Sequence, residues 1–423
     1  MTEHTYRGPC RGKRGYAEPL SSRERYRTTF RHEEPDRVPL FMNAPQFYFV
    51  DDRVQWRDQF ERADGLLAMG QDPMIDIWLP DPVCDPEVEI RSWRTIPEEG
   101  GEPLMFKEYH TPAGVLRQVV RETSDWCSPL HTPWQPTTFG IEKRTHYGMD
   151  LFDDWAISRR TEPWVKGPED VEKLQYILKL PSGHLLDEWR QDALRAKKFA
   201  QERGLLLMVR RTIVGDAFLW LCNGSDFMCA MIESPDYVRE FLAVFQAWSL
   251  QLIELALDIG VDVIQRRGWY ENPDFWGPTH FATYLAPLIE EETQLVHQAD
   301  TLHCYLLTEG HGHYLDTLSN MSVDILWGID PVMGQVNLSE IKARLGGTKT
   351  LLGGVNSEVT LTQGTEEDIR KSTREVIATL APGGGFVLSP IGGIWPGIPW
   401  RNVEVFFDEW KKWRTYPIRE VGS

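Results

Sequence analysis

From residue 185 onward the chain alternates between two periods. Apolar residues recur every three or four positions over 185–202, 235–258, 278–298, 338–345, 366–380 and 402–413. That is the spacing of helices with one buried face. Between them lie short apolar runs at 205–209, 261–265, 302–308, 325–328, 350–352 and 386–388. Runs this short, bounded by turn residues, read as strands buried on both faces. Gly204 stops one helix and Thr365 caps another, as a left-handed stop and a hydroxyl cap do. Shorter helices are predicted at 227–232 and 313–319. Parallel strands need long crossovers, so strand, helix, strand at this rhythm builds a parallel sheet. Adding runs at 38–42 and 74–79 brings the count to the eight strands of a closed barrel. The predicted fold class is α/β, a (β/α)8 TIM barrel. The chain has no G-x-G-x-x-G and no Walker lysine, which leaves a nucleotide-binding doubly wound sheet as the weaker alternative.

The first 180 residues break the rhythm. Residues up to about 20 form an arm rich in Gly, Pro and charge. Ser21 or Ser22 then caps a helix that runs to Phe30, with Glu24 in its first turn, where an acidic side chain faces the helix dipole. Pro35-Asp36-Arg37 ends it, and an amphipathic stretch at 54–69 stops at Gly70. The segments 87–93 and 104–121 alternate apolar and polar residues around Thr111-Pro112-Ala113-Gly114, the pattern of an antiparallel hairpin. Residues 127–154 lack periodicity and are rich in aromatics, Pro and His, as a lid-like insertion over one end would be. The expected layout is an N-terminal arm and helix (1–34), then a barrel (35–423) with a β-hairpin and loop insertion at about 82–160, after the second strand.

Composition narrows the function. The 423 residues are 41% hydrophobic and 26% charged, ordinary for a globular enzyme. A net charge of −18 argues against nucleic acid and against anionic membranes, and favours partners with a basic face. No run of about 18 apolar residues reads as a membrane span. The first 14 residues lack the apolar core of a signal peptide, and the six cysteines form no C-x-x-C pair. Both features point to the cytoplasm. Seventeen tryptophans serve either a large core or an aromatic-binding pocket.

Three segments resemble the uroporphyrinogen-decarboxylase superfamily: Ser22-Arg23-Glu24-Arg25 with Glu34-Pro35-Asp36-Arg37-Val38-Pro39; LLGGVNSE at 351–358 followed by Gly364-Thr365-Glu366-Glu367; and LAPGGGFVLSP at 380–390 followed by Ile398-Pro399-Trp400-Arg401-Asn402-Val403. The resemblance implies a (β/α)8 barrel with its pocket at the strand C-termini. It also implies one of two chemistries, porphyrinogen decarboxylation or methyl transfer to or from a cobalt corrinoid. The decarboxylases carry paired arginines after the first strand, where this chain reads Met42-Asn43-Ala44-Pro45-Gln46-Phe47. Their NLGHG-type turn reads Ser389-Pro390-Ile391-Gly392-Gly393 here. A polycarboxylate without guanidinium partners buries unpaired charge. The zinc-thiolate methyltransferases carry a His-x-Cys after the fifth strand; here Leu307 and Glu309 stand there, with Ile391 or Gly392 at the later Cys. The branch that remains demethylates small methylated substrates, methoxy-aromatics among them. The chain has no D-x-H-x-x-G corrinoid signature, so cobalamin is expected on a partner corrinoid protein. Relatives suggest a homodimer.

The candidate residues sit after the predicted strands, where barrel enzymes place catalysis. In Thr308-Glu309-Gly310-His311-Gly312-His313, Glu309 and His311 are candidates for an acid/base pair, or for ligands of zinc or another divalent ion. The blander alternative is that Glu309 caps backbone amides and the histidines sit in a solvated loop. QRRGWYE at 265–271 offers Arg266, Trp269 and Tyr270 for substrate and Glu271 for catalysis. Arg210 and Arg211, with Asp216 beyond them, suit a substrate carboxylate. Asn356 is a catalytic candidate and Asp76 a substrate-binding one; each can instead make structural hydrogen bonds. His303-Cys304 reads as packing, because adjacent strand residues face opposite sides. Gly383-Gly384-Gly385 reads as a helix stop, and Glu290-Glu291-Glu292 as a solvated helix face. The expected activity is demethylation coupled to a corrinoid protein. The alternatives are a cofactor-free decarboxylase or lyase acting on a small carboxylic acid, and a non-catalytic binding subunit.

Overall fold

A computed structural model describes residues 19–42, 56, 58–98, 100–123, 149–334, 336–394 and 397–418. The chain opens on the capped helix Ser22–Phe30: the Ser21 hydroxyl accepts from Glu24 N, and the Glu24 carboxylate accepts from Ser21 N. This reciprocal pairing satisfies two donors that a helix start leaves open. Gln59–Ala68 follows, capped by Asp58, and leads into β1, Met74–Trp78. Then come β2 (Glu89–Thr95), β3 (Leu104–Thr111), β4 (Gly114–Arg121) and β5 (Arg160–Glu162), an antiparallel sheet of its own in the order β2-β3-β4-β5. The hairpin turns at 111–114, where the alternation placed it. Strand β5 has no pattern in the sequence, since Arg-Thr-Glu is polar throughout. The predicted arm (residues up to 18) and most of the lid-like stretch (124–148) lie outside the described residues.

Six further strands complete a curled parallel sheet in the order β1-β6-β7-β8-β9-β10-β11. They are β6 (Leu206–Thr212), β7 (Val263–Gly268), β8 (Leu302–Leu307), β9 (Ile325–Ile329), β10 (Thr350–Asn356) and β11 (Phe386–Ile391). The eighth expected strand, 38–42, is reduced to a parallel bridge between Leu40 and Leu388 of β11. Pro39 has no N–H to give a ladder, yet its carbonyl accepts from Leu388 N and Phe41 N donates to Leu388 O. On the other side Asp72 N, two residues before β1, donates to Leu40 O. Segment 38–42 thus stands between the two edges of the sheet, where the first strand of a TIM-like barrel belongs.

Two cores follow from strand alternation. Inside the curl, Phe41, Met74, Leu206, Met208, Val263, Cys304, Trp327, Leu352 and Val387 form one cluster, which Tyr26 of the first helix joins. Outside, alternate strand residues pack against the helices His184–Arg203, Pro235–Ile259, Ala286–Gln298, Glu366–Leu380 and Trp400–Trp413. Among the described residues, Pro235–Ile259 alone is long and apolar enough to cross a membrane, and 56% of its apolar window is buried within the fold. Phe241, Phe245, Leu252 and Ile253 explain its composition as that of a core helix.

Candidate functional site

The C-terminal ends of β6 and β7 extend beyond the apolar runs that announce them, so Arg210, Arg211, Arg266 and Arg267 are strand residues. Directly paired residues in a parallel ladder share a face. Arg210 pairs with Gln265, and Gln265 with Cys304 of the inner cluster; Arg267 pairs with Leu306, which packs on that cluster. Arg210, Gln265 and Arg267 therefore face the barrel interior. Arg266 pairs with Tyr305 of the outer core and faces the helices. Arg211 lies on β6, its side chain outside the described residues, as is 43–47 of the segment that replaces the family's arginines.

Each inward guanidinium has a carboxylate and aromatic rings beside it. Arg210 Nε donates to Asp76 Oδ1 at 2.8 Å, and its guanidinium carbon stands 5.1 Å from the Trp327 ring and 5.7 Å from Phe41. Asp76 also has Arg62 at 3.5 Å, and its backbone is clamped by the Gln59 amide. A small cleft opens here, lined by Phe41, Met42, Arg62, Leu66, Met74 and Arg210. Arg267 lies 3.6 Å from the Trp269 ring and 4.6 Å from Trp220, with Asp216 at 3.5 Å. Asp216 in turn accepts from the backbone N–H groups of Trp269 and Tyr270, which fixes that loop. Burial, aided by the nearby Glu271 charge, pushes the Asp216 carboxyl up to about 7 against the pull of Arg267.

Outside the strands, Arg266 is locked between Glu271 (2.7 Å) and Glu292 (3.0 Å), all three fully buried. Glu271 also accepts from Tyr305 Oη and from Gly215 N, both at 2.8 Å. Gly215 is glycine for room: a Cβ there would stand 2.5 Å from that carboxylate. Glu292 accepts from Ser249, and His303 pairs with Thr293. Three expectations change here. Arg266 and Glu271, read as substrate-binding and catalytic residues, spend their polar groups on this network between sheet and helices. Glu292, read as part of a solvated face, is buried within it. His303 and Cys304 face opposite sides, as alternation requires.

Glu309 and Asn356 are related through Asp330, which is hydrogen-bonded to Asn356 and acts on Glu309 through its charge. The Asn272 amide, on the loop after β7, donates to Glu309 Oε1 at 3.2 Å. Partial burial raises the Glu309 carboxyl above the usual range, and the charges of Asp274 and Asp330 add to the shift. Asp330 accepts from Asn356 Nδ2 at 2.7 Å, while Asn356 Oδ1 accepts from Val359 N. His311 is fully buried, neither ring nitrogen has a hydrogen-bond partner, and burial lowers it to about 4, so its ring is neutral. Among the described residues no group of three or more His, Cys, Asp and Glu side chains stands close enough to hold a metal ion. Glu309 and His311 find no third ligand there, so this donor set does not fit a bound divalent ion.

The sequence reading passed over Gln265, Arg267, Asn272 and Asp330. Counting alternate positions from Val263 would have singled out the first two; Asn272 and Asp330 lie on loops whose course no periodicity announces.

A parallel curled sheet with polar side chains gathered at its C-terminal rim defines a TIM-barrel-like enzyme fold. The sequence profile of the uroporphyrinogen decarboxylase (URO-D) family matches residues 221–413, a little under half of the chain. The uroporphyrinogen decarboxylase of Legionella pneumophila strain Corby is 26% identical over 195 residues, 43% of this chain and 54% of that protein. The chain thus spans about half the length (54%) of the relatives it matches, the strain Philadelphia 1 protein among them. Among solved structures, a methyltransferase from Methanosarcina mazei superposes with a TM-score of 0.53 at 14% identity, covering 93% of this chain and 99% of that one. A likeness at that identity speaks to the fold.

Proposed function

We propose that the chain demethylates a small methylated substrate, methoxy-aromatics foremost, and passes the methyl group to cobalamin on a separate corrinoid protein. The observation that carries this reading is how the two inward-facing arginines among the described residues are paired. Arg210 and Arg267 each have a carboxylate of the chain itself alongside and an aromatic ring against them. A polycarboxylate substrate needs guanidiniums left over for its own charges. An uncharged aromatic is better served by rings and by cations already compensated.

Glu309 supports the role of acid. Its raised carboxyl holds a proton at pH values where an ordinary glutamate has lost it. A reduced corrinoid, when its carrier docks, supplies the nucleophile that accepts the methyl group. As the methyl–oxygen bond breaks, its electron pair stays on oxygen, and Glu309 delivers its proton there. The Asn272 amide then steadies the carboxylate left behind. Exposed Val332 and Met333 after β9, and Val359 after β10, give the rim an apolar edge suited to such a partner. The free cysteines Cys84, Cys222, Cys229 and Cys304 suit the reducing cytoplasm, where we place the protein.

The test is anaerobic turnover of methoxybenzenes with reduced cobalamin standing in for the carrier protein. Phenol release is expected, and Glu309→Gln should reduce it by about 10²–10⁴-fold. No phenol from methoxybenzene or from methoxybenzenes bearing hydroxyl or alkyl substituents would sink the reading.

A further inference from the structure

We propose that Gln265 selects the substrate, donating its side-chain amide N–H to an uncharged acceptor oxygen such as that of an ether. This rests on the reading of the barrel as a site for neutral methylated aromatics. Gln265 is only 3% exposed, yet Nε2 has no hydrogen-bond partner. It faces the interior between strand neighbours Arg210 and Cys304, with Arg267 two residues further along the same face. An amide donor left unmatched at such depth lowers the stability of the unliganded protein, and residues of this kind mark either structural water or a ligand. Water is the rival occupant.

The charge around Gln265 sets the class of ligand. Arg210 is answered by Asp76 and Arg267 by Asp216. A carboxylate brought beside Gln265 would compete with Asp76 and Asp216 for the guanidiniums they already hold. A neutral oxygen takes the vacant N–H and leaves that balance intact. The rings of Trp327, Phe41 and Trp269, set against the two guanidiniums, give that interior an aromatic character suited to such a ligand. A site built to hydrogen-bond an oxygen discriminates strongly against the analogue that lacks it.

The experiment is calorimetric titration of the full chain with methoxybenzene and with ethylbenzene, its oxygen-free isostere, beside thermal melts of each unliganded variant. Wild type is expected to prefer methoxybenzene by about tenfold or more. Gln265→Leu should bind both probes alike and melt no lower than wild type, because it deletes an unmatched donor. Gln265→Glu, which keeps the shape but replaces the donor, should lose the same preference. A preference retained in both variants overturns this inference and leaves the demethylase reading standing. A Gln265→Leu that melts well below wild type with its preference intact assigns the amide to structure, and also overturns it. Wild type that takes up neither probe counts against both the substrate class and the role of Gln265.

Discussion

Glu309 and Asp76 show how one chemical group, the carboxylate, serves two ends. Asp76 is enclosed by Arg210 and Arg62 and fixed through its backbone by Gln59. Truncating it strands two buried guanidiniums, and Asp76→Ala should cost about 3–5 kcal/mol in urea unfolding. Glu309 has no cation among its principal influences; burial and two like charges raise it, and one amide donor holds it. An acid of that kind gives a rate that falls as pH rises through its own pKa. The Asn272 amide favours the charged form, so removing it makes the carboxyl hold its proton longer. Asn272→Leu should therefore move the alkaline limb of the pH–rate profile upward; a downward shift or none would dissociate Asn272 from Glu309. His311, neutral down to about 4, should contribute no inflection between pH 5 and 8.

At the scale of the strand, a side chain's role depends on which way it faces, and that was only partly legible. Apolar runs located β6 to β11 because buried parallel strands are apolar on both faces. They ended early, since Arg210, Arg266 and Arg267 continue strands without being apolar. QRRGWYE therefore read as a loop with all its groups available, whereas alternation sends Arg266 out to Glu271 and Glu292 and Arg267 in to Trp269. Glu292 was misread for the same reason, its partner being 26 residues away on a strand no helix pattern reveals. Asp216 ties β6's loop to that of β7 through two backbone N–H groups. Its folded carboxyl binds a proton more tightly than an ordinary aspartate, at about 7 against 3.8. The stability this adds is complete below the unfolded value and fades as pH rises through about 7. Asp216→Asn should flatten the loss of stability between pH 5 and 8 in chemical denaturation; an unchanged slope would place the titration elsewhere.

For the whole molecule, the opening motif that resembles the superfamily is architectural. Arg25 and Arg37 both grip buried Asp72, at 2.5 and 2.6 Å, and Asp36 holds Arg25. Asp72 also accepts from Leu40 N and receives Tyr26 Oη on its carbonyl. This knot joins the first helix, segment 38–42 and the start of β1, where the sheet would otherwise remain open. Asp72→Ala should cost about 3–5 kcal/mol and lower the melting temperature, with Glu309-dependent turnover surviving in whatever fraction stays folded. The motif was legible because buried ion pairs need fixed residue types; the chemistry was less so, because it depends on which arginines remain uncommitted inside the barrel. The most direct measurement supplies wild type in turn with methoxybenzene labelled in its methoxy group and benzoate labelled in its carboxylate, with and without reduced cobalamin. Expected is loss of label from the methoxy compound only when cobalamin is present, with the carboxylate untouched. Labelled carbon dioxide released without cobalamin would contradict the demethylase reading and favour a decarboxylase.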